Sequence, residues 1–313
     1  MDIRSKIILI SGPTASGKSN FAIKIAKKVN GEIINADSMQ VYKKLKILTA
    51  RPNKKEQKKI KHHLYGIINL NDKFSSGEWL KLAIKKIKEI RKKNKVPILV
   101  GGTGLYFQSL IKGLVKIPKI PQRLRAKVRL IQKKEGQKKF YKKLLKIDSK
   151  IKNKIDPNDS QRSIRAYEIK MFTKISMYEW IDKTKSYFNE NEFFKIYLSL
   201  ERADLINRIS NRVSRMIKDG AILEVKNFNK FRISKEHTVN KVIGINELNR
   251  YLSDEIKIES AKQLIFIRTR QYAKRQATWA RSRMISWKKI DQNEIPTLIK
   301  KINKSSLKLD QLI

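Results

Sequence analysis

The amino-acid sequence predicts an α/β fold in which a parallel sheet is flanked by helices and interrupted by a helical insertion. Three observations carry that expectation. Short, mostly apolar runs at residues 7–10, 32–36, 97–100 and 194–198 read as strands buried on both faces, the habit of parallel sheets. Segments with apolar residues at helical spacing separate these runs. From Lys116 to Ile155 the chain carries sixteen Lys and Arg against two acids, and its apolar residues keep only the helical period. The expected core is 1–115 with 196–313, and the expected insertion is 116–195.

The first run leads at once into Gly12, Pro13, Thr14, Ala15, Ser16, Gly17, Lys18 and Ser19, which fit G-x-x-x-x-G-K-[ST] at every fixed position. Phe21, Ile25 and Val29 then mark one face of a helix. Strand, glycine loop and helix in that order make the core P-loop NTPase-like. Gly12 and Gly17 can take the positive φ that wraps backbone around an anion, and the loop amides and helix N-terminus then face phosphate. Lys18 adds a mobile charge, and the Ser19 hydroxyl suits Mg²⁺. The loop predicts an oligophosphate ligand without saying which one.

The second strand runs into Asp37, Ser38, Met39 and Gln40. Ligands of open α/β sheets lie beyond the carboxyl ends of the strands. Asp37 stands at such an end, where a carboxylate can act as a base, hold Mg²⁺ or cap the next turn, and position alone does not separate the three. His62 and His63 are adjacent, so they point different ways and fit a packed or hydrogen-bonded pair better than a shared metal. An amphipathic helix is expected over 79–93, with Leu80, Ile84, Ile87 and Ile90 inward. The strand at 97–100 ends in Gly101, Gly102, Thr103 and Gly104. Many nucleotide hydrolases carry a magnesium-binding acid there. Its absence argues against ordinary NTP hydrolysis, and the glycines permit close approach of a ligand beside the Thr103 hydroxyl.

In the insertion, Leu124, Val128 and Ile131, then Phe140, Leu144 and Ile147, recur at helical spacing. Asp159 or Ser160 caps a helix that opens with Gln161, Arg162, Ser163, Ile164 and Arg165. Arginines on one helical face suit phosphate and base contacts, and equally surface ion pairs. The strand at 194–198 returns to the sheet, and a helix carrying Arg208 and Arg212 ends at Gly220. Residues 267–283 hold six basic residues and no acid. As a helix they put Tyr272, Gln276 and Trp279 on one face, beside Arg270, Lys274 and Arg281. That pattern serves either for stacking RNA bases or for anchoring the helix in the core.

With 73 Lys and Arg against 28 Asp and Glu, the net charge is +45, which calls for a polyanionic partner, nucleic acid before an anionic membrane. No apolar run is long enough to span a membrane, so no membrane role is expected. The first strand follows the N-terminus so closely that no signal peptide is expected, which favours the cytoplasm. With no cysteine, disulfides, thiolate metal sites and cysteine nucleophiles are excluded. The absence of long heptads favours a monomer.

The segments GPTASGKS, NADSMQVY, TARP, HHL, VGGTGLYF, DPNDSQRSIRA, RISNRV and TRQYAKRQATW together resemble bacterial tRNA dimethylallyltransferases, in the same order and over nearly the whole chain. The resemblance implies transfer of a prenyl group from dimethylallyl diphosphate to N6 of the adenosine 3′ of the anticodon. It makes Asp37 the base. It gives the departing diphosphate to the loop, Lys18, Arg212 and Ser19 with Mg²⁺, and puts Thr103 near the reacting carbon. Asp37 to Gln40, Thr103, Arg125, Gln161 to Arg165, Arg275 and Trp279 would grip the tRNA anticodon arm. Four positions depart from the family pattern. Ser19 replaces a common Thr, Tyr167 replaces an aliphatic residue, and Ile245 and Asn246 stand where an aromatic and a base are usual. The alternatives are a kinase of a small substrate, with ATP in the same loop, and a non-catalytic RNA-binding protein.

Overall fold

The computed structural model describes residues 3–303. It contains six parallel strands in the order β3-β2-β4-β1-β5-β6, formed by Ile7–Ser11 (β1), Gly31–Asn35 (β2), His62–His63 (β3), Val96–Val100 (β4), Phe193–Leu198 (β5) and Lys288–Ile290 (β6). β1 runs in the middle, with Ile8 opposite Ile98 of β4 and Phe194 of β5. All of β1, β2 and β4 is buried, which accounts for their mostly apolar character, and the buried Glu32 of β2 is paired with His63 and Lys95.

Twelve α-helices accompany the strands among the described residues. Lys18–Lys28 (α1) covers one sheet face together with the last helix, packing Phe21, Ile25 and Val29 on Ile8, Ile10 and Ile33. Lys54–Lys59 (α2) is a short turn of helix opened by an Asn53–Glu56 capping box. Ser76–Arg91 (α3) packs against β2 and β4. It begins three residues before the expected start because Ser75 and Glu78 form a capping box. Gly104–Lys112 (α4) stacks Tyr106 on Trp79 with ring centres 4.1 Å apart.

Contacts divide the chain into two compact units, 112–187 and the rest. Within 112–187, Gln122–Ile147 (α5) is kinked at Gly136, whose φ of +75° breaks the helical path between the two periodic stretches. Ser160–Thr173 (α6) is capped by Asp159, which accepts from Arg162 N, and a short helix, Met177–Asp182 (α7), follows.

The later core elements are Arg202–Lys218 (α8), Ala221–Asn229 (α9), Ile245–Leu252 (α10), Ile258–Arg283 (α11) and Ile295–Asn303 (α12). Asp219 is the C-cap of α8, and Gly220, at φ +100°, links it to α9. α8 to α11 build a second core with Val41, Leu45 and Leu48, in which Ile209, Val213, Leu248 and Ile265 are buried. The Glu224 carboxylate fixes this loop by accepting from the backbone N–H groups of Lys46, Ile47 and Leu48 at 2.6–2.9 Å.

Candidate active site

The carboxyl ends of β1, β2 and β4 converge. Gly101 N donates to Ile10 O, Thr103 N to Ala36 O and Ala36 N to Val100 O, at 3.2, 3.2 and 2.8 Å. Gly101 is required here, since a Cβ would stand 2.0 Å from Ala36 O.

The glycine loop follows β1. Gly17, at φ +87°, precedes α1, and Ala15 also adopts a positive φ of 65°. Lys18 Nζ donates to Pro13 O at 2.6 Å, and Arg212 Nη1 donates to the Thr14 hydroxyl at 2.9 Å. Burial pushes the Lys18 ammonium down to about 8, against an opposing pull from the Asp37 charge, and Arg212 adds to the depression. Burial also lowers Arg212, again opposed by Asp37. Two half-buried cations and a carboxylate therefore share one electrostatic site. Cations held in this way gain from an arriving anion.

Asp37 is anchored by its neighbours. Its backbone N–H donates to Asn35 Oδ1 at 2.8 Å, and one carboxylate oxygen accepts from Met39 N at 2.8 Å. Of the three roles open to it from position, capping the next turn is therefore present, and it leaves the second oxygen for other chemistry. Burial raises Tyr65, Tyr106 and Tyr272, and the Asp37 charge adds to each shift. All three phenols stay neutral beside the carboxylate. Thr103 Oγ1 accepts from Ser38 N at 3.0 Å and donates to Ser38 Oγ at 3.3 Å, so Ser38 and Thr103 form one unit. Gln40 is turned toward the loop, donating to Thr49 O and Ala50 O.

α11 crosses this edge. Gln276 accepts from Thr14 N at 2.8 Å and donates to Gly102 O at 3.0 Å. The Trp279 ring lies against Gly104, where a Cβ would come within 2.3 Å. The glycines after β4 thus admit groups of α11, and not only a ligand as their composition suggested. Arg275 is exposed, with its guanidinium 5.8 Å from the centre of the Tyr272 ring. Behind Pro13 lies a mainly apolar cavity of about 230 Å³ lined by Tyr197, Leu200, Leu205, Ala280 and Met284.

The structure therefore brings together Gly12 to Ser19, Asp37, Ser38, Thr103, Arg212 and Trp279. Arg125 and Gln161 to Arg165 belong to the 112–187 unit. There Gln161 and Arg162 are exposed, Ile164 is half-buried, and Ser163 is fully buried with its hydroxyl accepting from Gln137 Nε2 at 3.1 Å. Arg125 and Arg165 both pair with Glu168, at 3.4 and 3.3 Å. His62 and His63 are engaged elsewhere, with Ile60 O and with Glu32, each at 2.7 Å. Ile245 is buried, whereas Asn246 is exposed beside Arg268 and Arg275 in a surface groove. Asn35 and Glu224 escaped sequence reasoning, and Gln276, placed by spacing on the face of Tyr272 and Trp279, was not foreseen to bind Thr14 and Gly102. Only Asn35 left a signal, a polar residue closing an apolar strand.

Mg²⁺ takes hard oxygen ligands and keeps several waters and phosphate oxygens. The Ser19 hydroxyl and the Asp37 carboxylate are oxygen donors of that kind. Among the described residues no group of three or more His, Cys, Asp or Glu could hold a metal by itself. The donor set fits a cation shared with a bound oligophosphate and not a permanent protein cage.

A glycine loop flanked by half-buried cations and faced by a carboxylate at the carboxyl edge of a parallel sheet defines a P-loop-type protein whose site suits an oligophosphate. Comparison with known proteins narrows this class. The family model described as IPP transferase matches residues 40–283, and the chain belongs to that family. It is 69% identical to the tRNA dimethylallyltransferase of Pelagibacter ubique over all of both chains. A crystal structure of the full-length tRNA isopentenylpyrophosphate transferase of Bacillus halodurans is 31% identical, with a TM-score of 0.69, covering 98% of this chain and 99% of that one. A eukaryotic dimethylallyltransferase captured acting on tRNA is also 31% identical, with a TM-score of 0.81, covering 91% of this chain and 73% of that one.

Proposed function

We propose that this protein is a tRNA dimethylallyltransferase. It moves the dimethylallyl group of dimethylallyl diphosphate to N6 of the adenosine 3′-adjacent to the anticodon and releases diphosphate. Family membership and the named relatives support the reaction class. The observation that carries the mechanism is the Asp37 carboxylate, held at the end of β2 and electrostatically coupled to Lys18 of the loop and Arg212 of α8.

The adenosine N6 attacks the first carbon of the prenyl group while that carbon's bond to the diphosphate oxygen breaks. The electron pair leaves with diphosphate, and the N6 proton passes to Asp37. Lys18, Arg212 and the loop amides stabilise the charge that develops on the leaving group, a role for which fixed donors need no reorganisation. Lys18 exchanges the Pro13 carbonyl for phosphate oxygen as the donor enters. When bound, Mg²⁺, held by Ser19, would neutralise diphosphate charge. Thr103 and Ser38 fix the wall against which the two substrates meet, and holding them in attack geometry supplies much of the rate. The target adenosine must leave its stack, at a cost of a few kcal/mol. Arg125, Gln161, Arg162, Arg165, Arg275 and Trp279 contribute the grip on the anticodon arm. The enzyme acts in the cytoplasm as a monomer.

The test is to incubate protein, Mg²⁺, dimethylallyl diphosphate and unmodified tRNA, digest the tRNA and weigh its nucleosides. An adenosine heavier by one prenyl unit is expected. No mass shift, with ATP consumed in its presence, would replace this reading by a kinase.

A further inference from the structure

Gln276 is the one side chain of α11 that hydrogen-bonds to both the donor loop and the turn after β4 among the described residues. Its carbonyl oxygen takes the Thr14 amide, and its NH₂ holds Gly102 O, one residue before Thr103. Gly102 is shaped for this contact, because a Cβ there would stand 2.0 Å from Gln276 Nε2. Thr14 is held a second time, through its hydroxyl, by Arg212. On α11, Arg275 precedes Gln276 directly, and Trp279 lies three residues on. Tyr272, one turn earlier, interacts with the Gln276 side chain and feels the Asp37 charge. An ordinary helix anchor would use an apolar residue here. An amide with both ends satisfied fixes orientation as well as distance.

We propose that Gln276 is a positioning residue that couples the two substrate sites, so that diphosphate in the loop and tRNA on α11 each tighten binding of the other. This rests on the assignment of the loop to the donor and of α11 to tRNA made above. Diphosphate orders the loop around Thr14, Gln276 carries that order to α11 and Gly102, and tRNA then meets a helix already in place. Coupling of this kind is reciprocal by thermodynamic necessity.

The experiment measures the Kd of unmodified tRNA with and without saturating inorganic diphosphate and Mg²⁺. It uses the full-length enzyme, Gln276→Met and Gln276→Glu. Met keeps the length and removes both hydrogen bonds. Glu keeps the acceptor for Thr14 N and loses the donor to Gly102 O. The native protein should bind tRNA about fivefold to tenfold tighter with diphosphate, within the usual range of coupling factors. In both variants the ratio should fall to within about twofold of unity, while tRNA affinity without diphosphate stays within about threefold of native. Thermal melting identifies a variant that fails to fold, and the other then decides. Absence of coupling in the native protein, or its survival in a folded variant, overturns the proposal. The nucleoside mass assay on the native enzyme keeps the outcomes distinct. Transfer without coupling removes only the role of Gln276, and no transfer removes the reading beneath it.

Discussion

Asn35 and Asp37 are bound to each other through two hydrogen bonds, the Asn35 NH₂ to Asp37 O at 2.9 Å and Asp37 N to Asn35 Oδ1 at 2.8 Å. Trp79 Nε1 in turn donates to Asn35 O at 2.8 Å from α3. The carboxylate thus stands on a support that is fully buried and independent of substrate.

That support makes Asp37→Asn a clean test of the base. Asn can still accept from Met39 N, so the turn should persist. Transfer should fall by about 10²–10⁴, the usual worth of a general base, while tRNA binding is retained. Single-turnover transfer and a filter-binding assay give the two numbers.

Lys18, at about 8, titrates near working pH. Only its protonated form attracts diphosphate, so kcat/KM for the donor should be highest below pH 8 and fall as pH rises through that value. Lys18→Met should be much slower and should lack this alkaline limb. Burial disfavours the charged form, so this site's contribution to stability is full above the ordinary lysine value of 10.5 and is lost as pH falls from there to about 8.

Gly104→Ala should displace the Trp279 ring, since the new methyl would lie 2.3 Å from it. Overpacking of this kind costs about 1–3 kcal/mol, so the melting temperature should fall by about 3–10 °C. tRNA affinity should weaken more than donor KM, because Trp279 belongs to α11 and not to the loop.

Glu168 is buried and draws Arg125 and Arg165 toward one carboxylate. Glu168→Gln should loosen both guanidiniums and weaken tRNA binding about threefold to tenfold, the scale of one charge-assisted contact, with donor KM unchanged. Titrating the variant with tRNA across a salt series checks this. The native enzyme should lose affinity steeply with salt, and a flat response would remove the basic surfaces from the tRNA grip.

The glycine loop was legible because its residues are contiguous and their chemistry is local. The four longer strands were legible because burial leaves them mostly apolar, with Glu32 in β2 and Lys195 in β5 as the interior interruptions. β3 and β6 were not, being short strands rich in His and Lys whose pairing is decided by the neighbouring strands. The kink in α5 was written as a glycine between two periodic stretches, yet only the backbone reveals its direction. Gln276 and Glu224 act on backbone far away in sequence, Thr14 for one and Lys46 to Leu48 for the other. No local pattern marks such a partner. Position alone drew attention to Asp37 and Arg212, the family resemblance added the roles expected of them, and neither indicated what holds Asp37 in place.

The pairing of β1 with β5, Ile7 opposite Phe193, has a bearing on synthesis. The strand that bears the glycine loop precedes every other strand of the sheet, yet one of its flanking partners follows the entire 112–187 unit. Until β5 arrives, one edge of β1 remains an open apolar template, the kind of surface on which nascent chains misassociate. The 112–187 unit is contiguous in sequence and can complete its own contacts during that interval. The nascent chain therefore spends much of its translation with the catalytic sheet half-built, and this is the period in which chaperone dependence should be greatest.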